Sequence, residues 1–139
     1  MTDDTAPPID SERRARGLDW YRKVYGEGAI EIPEGHSDFF DQMLVQLFGE
    51  VWGRGVLAIE SRRLMVIGVL AAQGRWEQLA LQFRRSLDAE ELTPAELREA
   101  VIHLIQYVGY PSATDLYRLS ETAIHEHAAA NQARTERQQ

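Results

Sequence analysis

The stretch "HLIQYVGYP", residues 103–111, places side chains that can do chemistry near the end of a helical pattern. His103 and Tyr107 stand four residues apart, so on a helix they share a face and can touch. Glu99 stands four residues before His103. An imidazole oriented by a carboxylate one turn away is the arrangement a proton donor needs. The same spacing also fits a half-buried histidine whose ring fills a gap and whose nitrogens meet water or a backbone carbonyl. Gly109 and Pro111 are simpler: they end the helix.

Other chemistries are limited by residue type. The chain has no cysteine, which removes disulfides, thiolate nucleophiles and CxxC redox pairs. Of the remaining histidines, His36 stands alone and His125 and His127 form "HEH". Two residues apart is a poor spacing for one helix face, so a solvated helix end is expected there and no metal site. The net charge of -7 argues against a nucleic-acid surface, which usually needs a basic face. No apolar run approaches the roughly 20 residues of a membrane helix. The acidic, polar start "MTDDTAPPIDSERR" has no apolar signal core, so a cytoplasmic protein is expected.

Positioning His103 requires a helical frame. Residues 1–10 read as a disordered N-terminus, 11–127 as a single helical domain and 128–139 as a polar C-terminal tail. "SERRARGLDWYRKVYG" is helical up to Gly26. "SDFFDQMLVQLFGEVW" opens on Ser37 as N-cap, and Phe40, Met43, Leu44, Leu47, Phe48 and Val51 give it amphipathic spacing. "GRG" at 53–55 breaks it. Leu64 to Ala72 is apolar on every side apart from Gly68. This pattern predicts a central helix buried all round, with a neighbouring subunit as one source of cover. "RWEQLALQFRRSLD" is amphipathic again. Thr93, Pro94 and Glu96 form an N-cap, first-turn proline and capping box. A last helix runs from about Ser112 through Leu116, Leu119, Ala123 and Ile124. No convincing strand emerges, so the expected fold is all-α, a compact bundle of about six helices. On the wheel of the fifth helix, Leu97, Ala100, Val101, Leu104 and Val108 form the core stripe. Glu96, Glu99, His103 and Tyr107 lie on its flank.

The stretch from "ESRRLMVIGVLAAQG" through "LTPAELREAVIHLIQYVGYPSATDLYRL", with "FGEVWGRG" upstream, resembles the carboxymuconolactone decarboxylase family, within the alkyl hydroperoxidase D-like proteins. The resemblance covers roughly residues 37–125. It implies an all-helical homo-oligomer, trimer or hexamer, with a pocket close to subunit contacts. It also implies a lyase without a cofactor that acts on a small carboxylated lactone or related cyclic compound. The peroxidase branch carries a CxxC pair, a Glu before it and a His after it. Arg75 and Gln78 stand at the cysteines, Arg63 at the Glu and Gln82 at the His, so thiol peroxidase chemistry is not expected. The decarboxylase branch usually keeps a His where Gln82 stands, but its second His is present as His103. The resemblance therefore casts His103 as proton donor with Tyr107 as its companion. Trp52, Arg54, Arg63 and Gln82 become substrate-binding candidates. Arg62, beside Arg63, matches the family's own arginine. Decarboxylation needs a cation for the spectator carboxylate, fixed donors for the developing enolate-like charge and an acid for the carbon; an arginine can hold a carboxylate bidentately. With one family histidine replaced, a non-catalytic ligand-binding or assembly member is the alternative reading.

Overall fold

The computed structural model describes residues 5–139; the first four residues of the expected disordered N-terminus lie outside the described residues. Among the described residues there are six α-helices and no strand. None of the helices is long and apolar enough to cross a membrane. Where the sequence suggests one domain over 11–127, the contacts gather into two compact units, one ending at Leu57 and one spanning Ala58–Gln139. The division falls just after the "GRG" break.

The first unit begins with α1, Ser11–Tyr25. Asp10 caps it by accepting from the Glu12 and Arg13 N–H groups at 3.0 and 3.1 Å. Gly26 ends it at a φ of 92°, a conformation that favours glycine. Helix α2, Asp38–Met43, starts at the expected Ser37 cap. It runs on into a π-helical stretch, Leu44–Trp52, which closes with a Gly53 N–H to Phe48 carbonyl bond of 3.0 Å. The wider turn brings residues four apart closer to alignment. Phe40, Leu44, Phe48 and Trp52 are therefore buried, while Leu47 and Val51 of the expected α-helical stripe are exposed. Helix α1 lies tightly on this stretch at Gly17, where a Cβ would sit 1.8 Å from the Leu44 carbonyl oxygen.

The second unit holds α3 (Ile59–Gln73), α4 (Trp76–Asp88), α5 (Pro94–Val108), a 3₁₀ turn (Tyr110–Ser112) and α6 (Ala113–Arg137). Its core joins Ile67 and Ala71 of α3, Leu79, Phe83 and Leu87 of α4, Leu97 and Val101 of α5, and Leu116, Ala123 and Ile124 of α6. Two expectations need correcting. Helix α3 is not buried all round by its own chain. It buries Arg63, Ile67 and Ala71, spaced one turn apart, and leaves Met65 and Val69 53% and 54% exposed. One face is enough to pack on α4 and α5; the other is left uncovered among the described residues. The polar tail, too, is helical as far as Arg137. Between 113 and 137 there is no glycine or proline to stop α6, and "AAA" at 128–130 favours a helix.

Candidate functional site

Helix α5 is anchored where the sequence says it starts. The Thr93 hydroxyl accepts from the Glu96 N–H at 3.2 Å, and the Glu96 carboxylate accepts from the Thr93 N–H at 2.7 Å. The Thr93 N–H and hydroxyl hold the Glu96 carboxyl below the usual carboxylate value. This end of α5 forms one wall of a groove of about 470 Å³. Leu64 and Ile67 of α3 and Leu92 of the α4–α5 connection supply apolar surface. The polar lining is Glu96, Glu99 and His103, all from the flank of the α5 stripe. His103 is exposed rather than packed in the core. Its ring lies 5.2 Å from that of Tyr107, with the planes inclined by 43°. Tyr107 is 81% exposed. The arrangement gives an imidazole at the mouth of an apolar groove, with a carboxylate one turn below and solvent within reach.

Arg63 and Gln82 come together in the same unit, but beneath the surface. Arg63 is fully buried. Its Nε and one terminal nitrogen donate to the two Glu91 carboxylate oxygens at 2.7 and 3.0 Å. Its other terminal nitrogen donates to the Gln82 Oε1 at 2.6 Å. The Arg63 fork is therefore already filled by a carboxylate of the protein, and an incoming one would have to displace Glu91. The carbonyl end of Gln82, also buried, is engaged by the same arginine. Glu91 escaped the sequence reading. It lies 28 residues from Arg63 in an acidic "DAEEL" run, and no local spacing marks which carboxylate turns inward.

Trp52 and Arg54 belong to the first unit. Trp52 is buried at the end of the π-helical stretch, and Arg54 is exposed on the loop after it, its N–H donating to the Val51 carbonyl at 3.1 Å. The other histidines have separate surroundings. His36 Nδ1 lies 3.3 Å from the Glu34 carbonyl, His125 Nδ1 2.7 Å from the Glu121 carbonyl, and His127 Nδ1 2.9 Å from an Asp88 carboxylate oxygen.

Two curated proteins resemble the chain. It is 29% identical over 117 residues to the 4-carboxymuconolactone decarboxylase of Acinetobacter baylyi, covering 81% of this chain and 87% of that protein. It is 32% identical over 79 residues to the nitrosuccinic acid decarboxylase of Metarhizium robertsii, covering 57% of this chain and 54% of that protein. The model of the carboxymuconolactone decarboxylase family matches residues 38–122, more than half of the sequence. With that match spanning the α5 wall and its His103, the chain belongs to the carboxymuconolactone decarboxylase family.

Proposed function

We propose that the protein is a carboxy-lyase without a cofactor, acting on a small carboxylated lactone or related cyclic compound at the His103 groove. The observation that carries this reading is the imidazole of His103 on the rim of a groove with a largely apolar floor. Both relatives are named as decarboxylases. In the proposed step the bond to the departing carboxylate breaks and carbon dioxide leaves. The electron pair is delocalised into the neighbouring carbonyl, and His103 in its protonated form delivers a proton to the carbon. An apolar floor favours this step because the ground-state carboxylate loses hydration that the departing carbon dioxide does not need. Solvent reprotonates the exposed ring, and Tyr107 packs beside it at a tilt as its companion.

Glu96 and Glu99 make the groove's own charge negative, so a spectator carboxylate needs a cation. Arg54 and Trp52 of the first unit are proposed as substrate-binding residues on the family resemblance alone. Arg63 and Gln82, cast at first as substrate-binding residues, are better read as part of the scaffold because they satisfy each other and Glu91. The apolar residues that α3 leaves uncovered support a homo-oligomer, trimer or hexamer, with these residues in the contact. The replacement of the family His by a buried, engaged Gln82 favours a second reading, ligand binding without turnover.

The test is turnover of 4-carboxymuconolactone by the purified protein, with His103→Ala and Arg54→Gln variants. The lyase reading expects His103→Ala to lower kcat at least a hundredfold and Arg54→Gln mainly to raise KM. Binding of the lactone by a folded protein that releases no carbon dioxide would establish the second reading.

A further inference from the structure

The buried Arg63–Glu91 pair takes no part in the proposed chemistry, yet each member immediately precedes a residue of the groove wall. Arg63 is followed by Leu64 on α3, and Glu91 by Leu92 on the α4–α5 connection; Leu64 and Leu92 both line the groove. The connection turns sharply to bring Glu91 there. Glu90 has a φ of 55°, a left-handed conformation uncommon for a residue with a side chain. The Glu91 and Leu92 N–H groups both donate to the Ser86 carbonyl, at 2.9 and 3.0 Å. Gln82 of α4 holds the third arm of the guanidinium, so one arginine ties α3, α4 and the connection together.

We propose that the Arg63–Glu91–Gln82 cluster is a positioning device that fixes the α4–α5 turn against α3 and so sets the shape, and the substrate fit, of the groove beside His103. The geometry of a planar fork on a carboxylate is directional. An apolar contact of similar volume gives packing without that direction, and this is the sense in which a buried ion pair can specify one arrangement. The proposal rests on the groove being the site of the lyase reading; its claim about the turn does not.

The test is a double variant, Arg63→Met with Glu91→Leu, which replaces the pair by apolar groups and leaves no charge buried alone. Two quantities are measured in the whole chain: amide hydrogen exchange at positions 91 and 92, each relative to its intrinsic rate, and KM and kcat for 4-carboxymuconolactone. The expected result is a folded protein whose turn amides exchange at least tenfold faster. KM should rise at least fivefold while kcat stays within about twofold. Unchanged exchange, or unchanged KM despite faster exchange, overturns the proposal and leaves the pair a purely stabilising one. If the wild type shows no turnover, the lyase reading fails and the exchange rates alone decide whether the cluster holds the turn. Should the double variant not fold, Glu91→Gln, which keeps the shape and one acceptor oxygen, carries the same readouts.

Discussion

Removing the Glu91 carboxylate alone should damage the second unit more than removing the whole ion pair. In the Glu91→Ala variant the Arg63 guanidinium, fully buried, loses both of its charge-assisted hydrogen bonds to the Glu91 carboxylate. An ion pair broken this way usually costs about 3–5 kcal/mol. Domains have stabilities of about 5–15 kcal/mol, so the loss takes a large share. With a urea dependence of about 2 kcal/mol per molar, a loss of about 4 kcal/mol lowers the unfolding midpoint by about 2 M. Trp76, on the first turn of α4, provides a fluorescence signal within the affected unit. The paired change Arg63→Met with Glu91→Leu should cost less, about 1–3 kcal/mol, because no charge is left buried alone and the remaining loss is the Gln82 carbonyl's hydrogen bond to Arg63. A loss below about 1 kcal/mol for Glu91→Ala, or an equal loss in the single and paired variants at matched protein concentration, would refute the reasoning. Either result would mean that the guanidinium finds water or another partner.

Gly17→Ala should prevent the first unit from forming, because its Cβ would lie 1.8 Å from a backbone oxygen of Leu44; loss of the Trp52 burial signal in fluorescence checks this. Acid should weaken the same unit through Asp41. Burial by itself raises that carboxyl, but the Arg14 guanidinium and the Gly35 N–H outweigh it and hold it below the usual 3.8 of an aspartate. A carboxyl depressed on folding gives stability that is complete above its unfolded value and is lost as pH falls through its native value. Unfolding curves should therefore shift below about pH 4, and Asp41→Asn should flatten that shift. Val69→Glu, on the uncovered face of α3, should convert the proposed homo-oligomer to a smaller species in light scattering while leaving the far-ultraviolet helix signal unchanged.

The features legible in the sequence were those written locally. Thr93, Pro94 and Glu96 announce the start of α5 because the capping box closes within four residues, and Ser37 and Gly26 mark helix ends for similar reasons. The contact of the His103 and Tyr107 rings follows from helical spacing alone. What escaped depends on partners distant in sequence or on a change of helical period. The π-helical stretch moves Trp52 into the buried line in place of Val51, and no residue type signals the wider turn. Helix α3 reads as buried on every side because composition records apolarity, not which element supplies cover. Arg63 reads as a substrate-binding candidate because its carboxylate lies beyond α4, after a left-handed turn at a glutamate where a glycine would have drawn notice. The second half of α6 reads as a tail because its apolar period fades, although nothing in it stops a helix.

The central claim is that His103 protonates the product carbon of a decarboxylation. Its most direct test is carbon dioxide release from 4-carboxymuconolactone in deuterated water, wild type beside His103→Ala. The account predicts release by the wild type with one deuterium on the product carbon, and release reduced at least a hundredfold in a variant that keeps its helix content. Release that persists undiminished in His103→Ala would contradict it.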